Sequence, residues 1–347
     1  MGDTRPTRAF IGSFSSAGGR GVLVADWAPE SGALDLVGAS DAVADPSFLA
    51  LGPGGQVLYA ASETVEGAAA AFDVTGPAPR LLGTPEPVGG SGPTHLAVAA
   101  GHVLTADYGS GSVSVLPVAA DGSLKPFTDV VRHTGSGPVE GRQEEPHAHQ
   151  VLPDPSGRWV LAVDLGTDSV EISALDPTTG ALRPHGRTAL RPGTGPRHLA
   201  FHPRGGHAYV LNELEPTVTV CRWDPAAGVL EPLAETPVVP EDATGPRYPS
   251  EVVVAPDGRF LWAAVRGHDT LAVLALDASG EKASLVASVP CGGHWPRDLT
   301  LAPSGRHLYA ANERSGDVTW FTVDPETGLP SRTGSVPAPA ASCVVFG

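Results

Sequence analysis

The chain repeats itself. Four segments align without a gap: HQVLPDPSGRWVLAVDL from His149, RHLAFHPRGGHAYVLNE from Arg197, SEVVVAPDGRFLWAAVR from Ser250 and RDLTLAPSGRHLYAANE from Arg297. Each reads as a strand, a turn opening with Pro and reaching Gly two residues on, and a second strand. Looser copies begin at Ser47 and Thr94. The turn prolines Pro155, Pro203, Pro256 and Pro303 return about every fifty residues, close to the period of propeller blades.

Within the first strand of each copy, apolar residues alternate: Leu49 and Leu51, Leu96 and Val98, Val151 and Pro153, Leu199 and Phe201, Val252 and Val254, Leu299 and Leu301. Period two marks a strand face packed on a neighbouring sheet. The intervening Ala50, Ala97, Ala200 and Thr300 are small, which suits a crowded central axis. Outer strands end in D-P-x-x-G turns, as at Asp176 and Asp324, and 43 glycines and 35 prolines fit many short strands joined by tight turns. The segment RAFIGSF followed by GVLVADWAPESGAL supplies the later strands of one blade, and ASCVVFG at the C-terminus supplies its missing first strand. Pairing the two termini closes a ring of seven and removes the free edge. The sequence therefore predicts an all-β chain, a seven-bladed β-propeller, forming a single domain over residues 1–347.

Composition narrows the partners. The net charge is -16 with no run of Lys or Arg, which excludes nucleic acid and predicts repulsion from an anionic membrane surface. Cys221, Cys291 and Cys343 form no disulfide framework or metal spacing. The N-terminus has no apolar leader region and no run is long enough to span a membrane. The expectation is a monomer in the cytoplasm, because a closed ring lacks long exposed edges.

The residue opening the first strand and the residue closing the second lie at the same end of a hairpin. Ser47, Thr94, His149, Arg197, Ser250 and Arg297 as openers, with Glu63, Tyr108, Leu165, Glu213, Arg266 and Glu313 as closers, should crowd one mouth of the channel. Charged residues make up only 17% of the chain, yet three arginines and three glutamates fall in this ring. The opposite turns repeat as PSGR and PDGR, as structural turns do. His147 and His149 lie two apart on an extended segment, with His198 in reach, but no acidic or cysteine partner at telling spacing accompanies them, so no metal is expected. Asp164 reads as a turn residue bonded to backbone, and Trp295 as a wall beside Arg297. The chain lacks a G-x-S-x-G elbow, a Walker A lysine, C-x-x-C, a dinucleotide fingerprint and a WD repeat.

The stretches PHAHQVLPDPSGRWVLAVDLGTDSVEI, GPRHLAFHPRGGHAYVLNELEPTVTV and PRDLTLAPSGRHLYAANERSGDVTWF resemble the lactonase family of seven-bladed propellers, which includes propeller-type 6-phosphogluconolactonases and is related to fungal carboxymuconate cycloisomerases. The likeness runs from about Phe10 to the C-terminus. In the first blades the family's N-Y-x-S-G reads D-Y-G-S-G at Asp107 to Gly111. The resemblance implies lactone chemistry at His149, Arg197, Glu213 and Arg266, all of which already belong to the mouth.

Lactone hydrolysis needs a base for water, a donor for the developing oxyanion and an acid for the leaving alkoxide. Glu213 or His149 supplies the base, a contribution of about 10²–10⁴-fold, and the other returns the proton. Arg197, Arg266 and Arg297 bind a carboxylate or phosphate, with His147, His198, Glu63, Glu313 and Trp295 around the substrate, a small anionic lactone or sugar. No cofactor is required. Two alternatives use the same fold: an isomerase closing or opening a lactone on an unsaturated dicarboxylate, and a non-catalytic interaction platform.

Overall fold

A computed structural model describes residues 7–347. The first six residues, part of the segment in which no leader was read, lie outside the described residues. Strands β1 (Arg8–Ser13), β2 (Val22–Trp27) and β3 (Leu34–Ser40) form a sheet whose first position is filled by the last strand, β28 (Ala341–Phe346). Antiparallel pairing of Phe10 with Val345 and Ile11 with Val344 closes the ring as expected. Six further sheets of four strands follow in chain order: β4–β7 (46–87), β8–β11 (93–132), β12–β15 (148–189), β16–β19 (196–237), β20–β23 (248–290) and β24–β27 (296–337). No helix among the described residues is long and apolar enough to cross a membrane.

Both faces of every blade are covered. Leu49 packs with Phe10, Val22 and Val24 of the closing sheet, while Ala50 faces the other way, toward Leu96 and Val103 of the next blade. Ala200 likewise joins Val252 and Leu261, and Thr300 donates its hydroxyl to Val344 O at 2.7 Å. The small residues therefore admit a neighbouring blade, and do not crowd the axis as the sequence suggested. A propeller strand turns its edge, not its face, to the channel.

The turns opposite the mouth are latches. Tyr59, Trp159, Tyr209, Trp262 and Tyr309 each donate from a ring OH or NH to a turn carbonyl of the next blade: Gly122, Pro225, Gly280, Gly328 and Gly32, at 2.6–3.1 Å. Arg158 and Arg204 of the P-S-G-R and P-R-G-G turns reach Ala226 O and Ala278 O in the same direction. A buried hydrogen bond of this kind stabilises by about 1 kcal/mol, so the set holds adjacent blades in register.

The innermost strands are β4 (Pro46–Leu51), β8 (Pro93–Ala99), β12 (Ala148–Pro153), β16 (Pro196–Phe201), β20 (Tyr248–Val254), β24 (Pro296–Leu301) and β28. Each carries a register shift at its start. Pairing skips from Pro46 to Phe48, Pro93 to His95, Ala148 to Gln150, Pro196 to His198, Pro249 to Val252 and Pro296 to Asp298, and on β28 it skips Ser342. Six of the unpaired residues are the openers read from the sequence; Glu251, beside Ser250 on β20, and Ser342 on β28 are unpaired as well. A bulge leaves a residue out of the ladder and re-aims its side chain, and here it does so once per blade.

Candidate active site at one mouth of the channel

The bulged residues and the strand closers meet as one ring. Backbone bonds fix the closers: Glu63 N donates to Asp45 O, Tyr108 N to Gly92 O, Glu213 N to Gly195 O and Glu313 N to Trp295 O. The acceptor positions have positive φ, +57° at Gly92 and Gly195 and +65° at Trp295. Trp295 thus occupies a conformation that suits glycine, and strain of this kind clusters at functional sites. Its ring lies beneath Arg314, 3.3 Å from guanidinium carbon to ring centroid, with Arg266 at 5.7 Å.

Glu213 is the hub. One oxygen lies 2.7 Å from Arg266 Nη2 and 3.3 Å from Arg197 Nε, and the other lies 2.5 Å from Arg142 Nη2. Burial pushes this carboxyl up, but Arg266, Arg197 and Arg142 outweigh burial and hold it at about 2. Arg297 forms a second cluster, 3.2 Å from Glu63 and 3.5 Å from Glu313, with its guanidinium over the Phe14 ring. Four guanidinium groups therefore face three carboxylates within a strongly acidic chain.

His149 is 6% exposed. Burial first, and then the charges of Arg197, His198, Arg297 and Arg266, press its pKa well below the ordinary histidine value, so the ring is neutral at physiological pH. Its Nδ1 is buried without a hydrogen-bond partner. His147 is brought to the rim but not beside His149's free nitrogen: it stacks on Tyr108 at 4.3 Å and donates Nδ1–H to Tyr108 O at 2.9 Å. Among the described residues no three His, Cys, Asp or Glu side chains are arranged to hold a metal. Leu165 is a buried core residue, and the Ser250 hydroxyl is used on Pro296 O at 2.6 Å. Asp164 accepts from the backbone of His147 and Thr167, in keeping with a turn role.

Beneath the mouth lies a second tier, the residue after each opener. Gln150 accepts from Leu199 N at 2.7 Å, His198 Nδ1 pairs with Glu251 at 2.6 Å, and Asp298 accepts from Val344 N at 2.9 Å. Each therefore reaches the next blade's inner strand. A void of about 10 Å³ is lined by Thr94, Arg197, His198, Glu251, Arg297 and Asp298 among others, roughly the room one water needs. Sequence reasoning placed His198 here but missed Glu251, Asp298, His95 and Arg142. The first three were detectable as polar residues recurring at the second position of strands whose third and fifth positions are apolar. Arg142 sits in the loop between β11 (Asp129–Arg132) and β12, outside the repeat, where no frame locates it.

A closed propeller with a buried cluster of arginines, carboxylates and histidines at one mouth is suited to chemistry on a small molecule. The match to known proteins is consistent with this. The family model "Lactonase, 7-bladed beta-propeller" covers residues 8–346. The chain is 35% identical to the 6-phosphogluconolactonase of Bacillus subtilis over 97% of both chains, and 30% identical to that of Formosa agariphila over 92% of this chain and 93% of the relative. It superposes on the periplasmic gluconolactonase of Pseudomonas aeruginosa with a TM-score of 0.92, at 26% identity over 99% of each chain. The chain belongs to the lactonase family of seven-bladed β-propellers.

Proposed function

We propose that the protein hydrolyses 6-phosphogluconolactone at this mouth, in the cytoplasm and as a monomer, within the oxidative pentose phosphate route. The observation that carries the reading is a neutral, buried His149 beside three buried or part-buried guanidinium groups, those of Arg197, Arg266 and Arg297. A neutral imidazole can take a proton, and arginines bind carboxylate, phosphate or oxyanion in bidentate fashion.

In this reading His149 takes a proton from water as the water oxygen bonds to the lactone carbonyl carbon. Arg197 and Arg266 stabilise the oxyanion. The ring C–O bond then breaks, His149 returns the proton to the leaving alkoxide, and the acid product ionises to release one proton to solvent. Glu213, expected as base or acid, is given another role because both its oxygens are committed to arginines: it holds them in place. Arg297, more exposed than Arg197 and Arg266, takes the phosphate.

The test is hydrolysis of freshly generated 6-phosphogluconolactone followed by proton release. Fast turnover that His149→Ala removes supports the reading. A wild-type rate no higher than the spontaneous one overturns it and turns attention to other lactones, to unsaturated dicarboxylates as isomerase substrates, and then to a binding platform.

A further inference from the structure

Three imidazoles and two carboxyl groups fill the channel under the mouth, and the proposed hydrolysis uses only one of them. His198 lies with its ring centroid 5.1 Å from His149 and 5.4 Å from His95. Its Nδ1 is 2.6 Å from Glu251 Oε2, and Glu251 and Asp298 line the same small void beside it. The Glu251 backbone belongs to the bulge of β20, and its Oε1 accepts the neighbouring Val252 N–H at 2.9 Å. Stitching one blade to the next would account for these bonds alone. It does not account for the other ends of the two rings: His198 Nε2 and His149 Nδ1 are both buried and both lack a partner.

We propose that Asp298, Glu251 and His198 form a positioning line that sets the tautomer of His149. This rests on the assignment of His149 as the base. Glu251, as a carboxylate, can only accept, so His198 must donate from Nδ1 and leave Nε2 as a bare acceptor. At a centroid separation of 5.1 Å a rotation of the His149 ring brings its Nδ1–H onto that acceptor with the His198–Glu251 pair left in place, and catalytic hydrogen bonds that are loose in a resting enzyme commonly tighten when substrate binds. His149 is then left with a bare Nε2 for the proton of the attacking water. Nucleophile-activating bases are held by a third group in the same way in unrelated hydrolases.

The carboxyl pair is suited to the task. Burial raises both Glu251 and Asp298, and the charge of Glu251 raises Asp298 further. Asp298 is raised further, to about 8 against about 7 for Glu251, so Glu251 loses its proton first and carries the charge facing His198 while Asp298 keeps its proton and can donate to it. Arg197, Arg266 and Arg297, His95 from β8, Glu213 and the Cys343 thiol of β28 surround the line. The arginines, after burial itself, keep His198 from becoming a cation.

Two measurements test this. The nitrogen-15 shifts of the resting, substrate-free protein should show His198 protonated at Nδ1 and bare at Nε2 near pH 7. A cationic His198, or one protonated at Nε2, overturns the proposal whether or not the lactonase reading stands. In Glu251→Gln the amide presents a donor to His198 and reverses its tautomer. The expected result is a kcat lower by about 10²-fold, the lower end of what general base catalysis contributes, with KM changed less than about twofold and the His198 shifts inverted. Loss through KM or folding stability with the His198 tautomer unchanged would make Glu251 a blade stitch and overturn the proposal. If Glu251→Gln does not fold, the wild-type shifts of His149 decide: protonation at Nδ1 with Nε2 bare is expected, and protonation at Nε2 overturns the proposal. Absence of lactonase activity in the wild type, with the expected tautomer in place, would instead sink the proposed substrate.

Discussion

Glu213 lies 2.7 Å from Arg266 and 3.3 Å from Arg197, and its second oxygen lies 2.5 Å from Arg142, so one carboxylate holds together three of the arginines of the mouth. Removing one partner of a buried charge pair costs about 3–5 kcal/mol, because the remaining charges are left uncompensated. Glu213→Gln should therefore lower unfolding free energy by about 3 kcal/mol as well as reduce kcat/KM, and denaturant titration beside kinetics checks both. The pH dependence has a definite sign. The folded-state value of about 2 lies below the ordinary 4.5, so the contribution is complete above about pH 4.5 and is lost as pH falls toward 2.

A second buried acid works in the opposite sense. Asp107 accepts from Thr105 at 2.8 Å and Ser114 at 2.6 Å, yet burial outweighs these bonds and raises it to about 6. The equivalent strand-end positions carry Asn212 and Asn312, which donate to Thr219 and Thr319. Because the folded value exceeds the unfolded 3.8, this group's contribution is complete below about pH 4 and is lost as pH rises through 6. Asp107→Asn should stabilise the protein at pH 8 by up to about 3 kcal/mol, from 1.36 kcal/mol per pH unit of displacement, and the gain should vanish near pH 4. Thermal unfolding of both proteins at the two pH values measures it.

Both the ring and most of its mouth were legible in the sequence because the repeat supplies a frame. His149, Arg197 and Arg297 open the first strand of their blades, Glu213 and Arg266 follow or end the second strand of theirs, and closure by β28 followed from the incomplete blade at each terminus. The bulge that frees each opener was not read from the sequence, although Pro46, Pro93, Pro196, Pro249 and Pro296 stand directly before the unpaired residues and proline inside a sheet is confined to places such as bulges. The smallness of Ala50 and Ala200 was seen but assigned to the axis, because period two alone does not say which object covers each face. Arg142 was invisible for a different reason: it reaches Glu213 from a loop, across 71 residues of chain, and no periodicity governs a loop.

With His149 as the proposed base, its depressed pKa sets the expected shape of the activity profile. Burial and the surrounding arginines keep the ring neutral well below the usual histidine range, so the base remains available as the solution is acidified. The expected kcat/KM is flat from pH 8 down to about 6.5, with its acid limb below that, and His149→Gln should lose about 10²–10⁴-fold in kcat at every pH. An acid limb centred near 6.5 would mean that an ordinary, solvated histidine is the base, and His149 is not one.

In the proposed reaction Arg297 separates recognition of the phosphate from the chemistry. Its side chain is 18% exposed against 3% for Arg197 and 8% for Arg266, and Glu63 and Glu313 hold it at the rim rather than over Glu213. A charged hydrogen bond contributes about 1.5–3 kcal/mol, which corresponds to roughly 10- to 100-fold in binding. Arg297→Met should therefore raise KM for 6-phosphogluconolactone by at least about tenfold, while turnover of unphosphorylated gluconolactone changes little. The ratio of the two substrates' kcat/KM is the quantity to measure. If both fall together, Arg297 supports the catalytic cluster itself, and the phosphate must be held by Arg142 or another group at the mouth.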